Sequence, residues 1–153
     1  MRKVFLLALL VSACAKKEPA PDTTTPAPPP PPPPPPALTA ADVKGTWKGT
    51  SKREGDTTAV TWTVTTVTDS TSKLTFDKTK QTVDFSVKFD GDSMTSASKP
   101  YNDPSRPKNA PKVMFRSVAR LKDGKLVGNS TIVLASKPDS VVDKGTFQAT
   151  KAP

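Results

Sequence analysis

A single thiol, Cys14, and no histidine: that is the whole stock of soft or neutral-pH chemistry in these 153 residues. One cysteine cannot close a disulfide within the chain. Without histidine, the usual general base near neutral pH and the commonest metal ligand are both missing. Asp and Glu stand singly at turns, Ser and Thr alternate along strands with no base beside them, and no glycine-rich loop could cradle a phosphate. The expectation is a protein that is not an enzyme and takes no metal and no cofactor. The side chains left to build a site are aromatic. Trp47, Trp62, Phe76, Phe85, Phe115 and Tyr101 are the candidates to contact a small apolar or amphipathic ligand, or else to fill a solid core.

Cys14 ends a leader. Met1-Arg2-Lys3 is a positive start, residues 4–11 are an apolar run of eight, and Ser12 and Ala13 are small. Such a run suits a signal peptide and falls far short of the roughly 20 residues that span a bilayer. The stretch Val11-Ser12-Ala13-Cys14 resembles the lipobox of bacterial lipoproteins, where an aliphatic residue and two small ones precede the modified cysteine. The resemblance implies a diacylglyceryl thioether on Cys14, cleavage before it and acylation of the new terminus. Several acyl chains, at about 0.8 kcal/mol per buried CH₂, make such an anchor effectively permanent. In the well-studied enveloped bacteria an aspartate after the cysteine retains the protein in the inner membrane. Ala15 therefore implies the outer membrane, with the body in the periplasm or on the cell surface.

Three parts follow: a signal peptide over 1–13, a lipidated terminus and proline-rich linker over 14–37, and a folded body over 38–153. Twelve of the 18 prolines lie between Pro19 and Pro36, nine of them consecutive from Pro28. Consecutive prolines adopt polyproline II, and at about 3.1 Å per residue nine of them extend about 28 Å, so the tract is expected to be a disordered spacer between lipid and body. A docking ligand for an aromatic groove is the other use of such a tract.

The body alternates. In "TVDFSVKF" the residues Val83, Phe85, Val87 and Phe89 share one face while Asp84, Ser86 and Lys88 share the other, and "AVTWTVT" repeats the pattern around Trp62. One wet face means an antiparallel sheet. Turn signals at 53–57, 68–72, 77–81, 90–92, 122–125 and 136–140 leave strands near 45–53, 58–67, 73–77, 82–89, 92–98, 112–122, 125–135 and 141–151. "LKDGKL" predicts a tight hairpin, because Asp123-Gly124 accepts the positive φ angles of a type I′ turn. Only "LTAADVK" suggests a helical turn, capped by Thr39. Eight such strands close into a barrel or stack as a sandwich.

"GTW" at 45–47, opening the first strand after that turn, resembles the glycine-x-tryptophan start of the calycin superfamily, the lipocalins and avidins. The resemblance implies an all-β, antiparallel, eight-stranded up-and-down barrel in which Trp47 closes one end and "GTFQAT" at 145–150 returns to pair with the first strand. In that family an arginine of the last strand lies against the tryptophan; here the last strand offers Lys144 and Lys151. The interior is then expected to hold Trp47, Trp62, Leu74, Phe76, Val83, Phe85 and Val87 from the first half. From the second half come Phe115, Leu121, Ile132 and Phe147, with Gly128 and Ser130 leaving space.

The body carries 19 Lys plus Arg against 12 Asp plus Glu. This basic balance favours anionic partners, which in an envelope are lipid headgroups, lipid phosphates or wall polymers, and nucleic acid is not expected. The segment 98–111, with four prolines and the chain's one tyrosine, reads as a semi-rigid lid, a partner surface presenting Tyr101, Arg106 and Lys108, or a plain linker. Two functions compete on these residues: a membrane-anchored monomeric barrel that binds a small apolar or amphipathic ligand, and a solid barrel that contacts envelope polymers, headgroups or a partner protein.

Overall fold

The computed structural model describes residues 29–33 and 36–153, so Cys14, the leader and most of the linker lie outside the described residues. Residues 29–33 are exposed and belong to no helix or strand. The compact unit that holds the body runs Pro34–Pro153.

That unit is a closed antiparallel barrel of eight strands in sequence order. The strands are β1 (Thr46–Arg53), β2 (Val60–Thr68), β3 (Thr71–Phe76), β4 (Thr82–Asp90), β5 (Ser93–Ser98), β6 (Val113–Lys122), β7 (Lys125–Leu134) and β8 (Lys137–Lys151). Each pairs with its neighbour, and β8 returns to β1 with Lys48 opposite Thr150 and Ser51 opposite Phe147, which leaves no strand edge unpaired. A single helical turn, α1 (Ala40–Val43), precedes β1. The Asp42 carboxylate accepts hydrogen bonds from the Thr39 hydroxyl (2.7 Å) and Thr39 N–H (2.8 Å), which hold its pKa below the usual carboxylate value.

The hairpin at 122–125 forms as the dipeptide demands, with φ of 51° at Asp123 and 73° at Gly124. On the outer face of β3 and β4, Lys73 donates to Asp84 at 2.7 Å and holds that carboxyl below its usual range. Three boundaries differ from the sequence expectation by two residues or more. β2 begins at Val60 and not at 58. β3 begins at Thr71, inside the segment read as a turn, because the chain reverses over Asp69-Ser70 alone and the Thr68 and Thr71 hydroxyls bond across it at 2.7 Å. β8 begins at Lys137 and absorbs "KPDS", also read as a turn: the reversal is at Ala135-Ser136. Pro138 is accommodated there because the β7–β8 register shifts between Leu134↔Lys137 and Val133↔Val141, so no ladder hydrogen bond is asked of its missing N–H.

The core has two foci. Trp47, Trp62, Leu38, Val43, Leu126 and Ala149 pack at the α1 end, and Val83, Phe85, Val87, Tyr101, Val113 and Phe115 pack at the other. Val64, Leu74, Phe76, Phe89 and Met94 bridge them. Leu121 departs from its expected place: it holds the inward register opposite Leu126 but lies at the rim beside the hairpin, 38% exposed.

Candidate functional site: a capped lumen

Alternate residues of β1, Trp47, Gly49, Ser51 and Arg53, run up the inside of the barrel from its closed end to its mouth. Trp47 is 2% exposed, and its indole N–H donates to the Val43 carbonyl at 2.9 Å, tying α1 under the barrel. The Lys151 ammonium lies 5.9 Å from the Trp47 ring centroid. A cation over an indole face is attracted to the ring quadrupole, so the last strand is tied to the first at this end of the barrel.

Above Trp47 a cavity of about 130 Å³ remains inside the barrel. All six aromatic residues singled out from the sequence line it: Trp47, Trp62, Phe76, Phe85, Tyr101 and Phe115. Their rings meet in tilted and edge-on pairs, Trp62 with Phe147 at 6.1 Å, Phe85 with Phe115 at 5.5 Å and Tyr101 with Phe115 at 6.3 Å. The polar part of the wall combines serine hydroxyls with Lys52, Arg53, Asp103 and Lys144 toward the mouth. Ser51, Ser96, Ser117 and Ser130 face the cavity, and the Ser96 and Ser117 oxygens are 2.5 Å apart.

The two small residues of β7 behave differently. Ser130 borders the open space. Gly128 does not provide room, contrary to expectation: a Cβ there would stand 2.7 Å from the Phe147 ring and 2.2 Å from the Val118 carbonyl, so the neighbouring strand and ring already fill the place.

The mouth is closed by the segment between β5 and β6. Tyr101 forms a bridge with Val113, each N–H donating to the other's carbonyl at 2.9 Å, and its ring is driven into the barrel beside Phe76 and Phe115. Gln81 donates to the Asn102 carbonyl at 2.7 Å. Asp103, with a side chain only 3% exposed, accepts from the Arg53 guanidinium and from Ser105 N–H (3.0 Å), while the other arm of Arg53 meets Asp143 at 3.1 Å. These contacts lay the segment across the mouth of the barrel. Arg106 and Lys108, named with Tyr101 as a partner surface, make none of these latching contacts.

Sequence reading missed the latch of Arg53, Asp103, Ser105 and Asp143. One signal was present: Arg53 is six residues after Trp47, an even spacing that aims a cation along the inward face of β1.

Burial pushes the Tyr101 phenol far above its ordinary value near 10, with Asp103 adding to the effect and Arg53 opposing it. Below about pH 10 both folded and unfolded states keep the proton; above it only the unfolded chain releases it, so stability should fall by up to about 1.4 kcal/mol per pH unit from this residue. Urea unfolding between about pH 10 and 11.5 should therefore show a shallower loss for Tyr101→Phe than for wild type. Parallel curves would mean the phenol is not held neutral.

The lumen and its latch rest on this chain's own residues: no protein-family model, no curated protein and no solved structure matches it.

Proposed function

We propose that this protein is a lipid-anchored protein of the bacterial envelope, held on the outer membrane through Cys14, whose barrel takes up one small neutral molecule. The observation that carries the reading is the residual lumen of about 130 Å³, walled by aromatic rings and serine hydroxyls, with its charged residues toward the mouth. Its size excludes a bulky ligand while the lid is shut, since pockets for drug-sized molecules begin near roughly 300 Å³. It is close to the cavity of about 150 Å³ that accepts benzene in an otherwise closed core. A single ring or a short alkyl chain carrying a hydroxyl matches that wall, with the apolar part against Trp62 and Phe85 and the hydroxyl toward Ser117 or Ser130. A charged ligand is disfavoured. Arg53 at the mouth is already held between Asp103 and Asp143, and Lys52 and Lys144, which also border the cavity, take the outward register of their strands, so the inner wall offers an anion no free partner. The same pairing supports binding without turnover, because both carboxylates at the mouth are engaged with Arg53.

Two experiments test the two halves. Titration of p-cresol and of 4-methylbenzoate into the full chain, followed by the NMR shift of the Trp62 indole N–H, should saturate for the cresol and not for the benzoate. Ser130→Val should fill the space, abolish the cresol response and raise stability by about 0.5–2 kcal/mol. No saturable response in wild type, or an unchanged response in Ser130→Val, would defeat the lumen reading. Separately, Cys14→Ser should move the protein from the detergent-soluble membrane fraction to the soluble one. Retention in the membrane fraction would defeat the anchor.

A further inference from the structure

The outward face of the barrel is as uneven as the inward one. Along the ladder, Lys48 of β1 stands beside Thr150 of β8, Thr150 beside Lys125 of β7, and Lys125 opposite Lys122 of β6. The next row carries Arg120, the next Lys52, and the one after it Lys144 and Arg116. Seven cations thus point outward from four adjacent strands, all of them exposed. Within β1, β6, β7 and the Lys144–Lys151 part of β8 no carboxylate shares those outward positions; the nearest is exposed Glu54, directly after β1, whose N–H donates to the Lys144 carbonyl at 2.9 Å at the edge of the face. The one inward carboxylate nearby, Asp143, is turned to Arg53. Among the described residues, Arg120 alone of the seven has a carboxylate partner, Asp92 at 3.1 Å. On β3 and β4 the pattern is different, because Lys73 and Lys99 flank Asp84. Placing Lys122 and Lys125 directly opposite each other is repulsive, and so many unpaired like charges on one face call for an anionic partner.

The centre of this face is not flat. A shallow depression of about 710 Å³ runs over it, edged by Lys52 and Arg120 and floored by Thr50, Asn129, Gln148 and the half-exposed Val118. Hydroxyl and amide groups on the floor can exchange hydrogen bonds with sugar hydroxyls, the valine can meet a sugar's C–H face, and the rim cations can meet carboxylates or phosphates along a chain. Three strand spacings give the face a width of about 14 Å, which suits one extended chain. A planar layer of headgroups would touch the rim and leave the floor empty.

We infer that the outer face of β6, β7, β8 and β1 is a docking surface for a linear anionic polysaccharide. This is independent of the lumen and of the lipid anchor. It is tested with the full chain in nonionic detergent, using sodium alginate, neutral dextran and polyphosphate as probes. Alginate should bind saturably and dextran not at all. The triple variant Lys48→Gln, Lys52→Gln, Lys125→Gln should weaken alginate binding by about tenfold at low salt and lower the log–log salt slope by about one per cation removed. A control of equal net charge, Lys78→Gln, Lys80→Gln, Lys88→Gln, removes exposed lysines from the opposite side and should change affinity less than about twofold. Both variants should keep the wild-type melting temperature. Equal weakening by the two triple variants would overturn the assignment of the face, and polyphosphate binding tighter than alginate would overturn the saccharide as its partner.

Discussion

Trp47→Ala should lower stability by about 3–5 kcal/mol, a large share of what a domain of this size possesses, so the variant should melt far below wild type or fail to fold. Three losses coincide at this residue. Its ring is 2% exposed among Leu38, Val43, Leu126 and Ala149, so truncation opens a cavity that these neighbours cannot close without moving. Its indole N–H is the link to the Val43 carbonyl, and without it α1 loses its hold on the barrel floor. The Lys151 ammonium loses its aromatic face. Trp62→Ala is the control, because Trp62 borders the lumen and its removal enlarges a space that already exists. It should cost less than Trp47→Ala. Equal destabilisation by both would indicate a barrel whose interior works only as a core, and a Trp47→Ala protein that melts like wild type would remove Trp47 as the closing residue. Thermal unfolding by circular dichroism, with iodide quenching of the tryptophans, reads all of these outcomes.

Gly128→Val should destabilise by about 3 kcal/mol or more, lowering the melting temperature by about 10 °C. A Cβ at this position would lie 2.2 Å from the Val118 carbonyl oxygen and 2.9 Å from the Ala119 Cα. Both belong to the backbone of the paired strand, which can yield only by separating β6 from β7. The Phe147 ring at 2.7 Å closes the remaining direction. Ser130, two residues along on the same inward face, is the contrast: valine there enters open space and should stabilise. Opposite signs at 128 and 130 would show that the lumen is a localised void; a tolerated valine at 128 would mean that β6 and β7 are less tightly apposed than described.

The alternation of Val83, Phe85, Val87 and Phe89 was sufficient to identify β4 and its buried face, because side-chain direction in a strand depends on parity alone. The Asp123-Gly124 turn was equally legible, since its positive φ angles are a property of two residues. The five aromatic candidates on strands could be placed inward for the same reason, whereas Tyr101, in the 98–111 segment, is brought inward by its bridge to Val113, and the closed end came to Trp47 only through what the resemblance of "GTW" implied.

What local pattern could not supply was decided by partners far away in sequence. Arg53 and Asp103 are 50 residues apart, and their pairing exists only because closure of the barrel brings the end of β1 under the segment that follows β5. The start of β8 could not be read from "SKPDS", since a proline and two polar neighbours look like a turn until the irregular register with β7 shows that no N–H is needed there. Whether Gly128 and Ser130 leave space was undecidable from their size, because the answer lies in how closely a neighbouring backbone and the Phe147 ring approach. Strand identity, inward parity along the strands, the hairpin and the excess of positive charge were legible in the residues alone, because each is local or additive. The tertiary structure alone decided the volume of the lumen, the latch across its mouth and the gathering of seven cations on one face, because each depends on which strands become neighbours when the sheet closes.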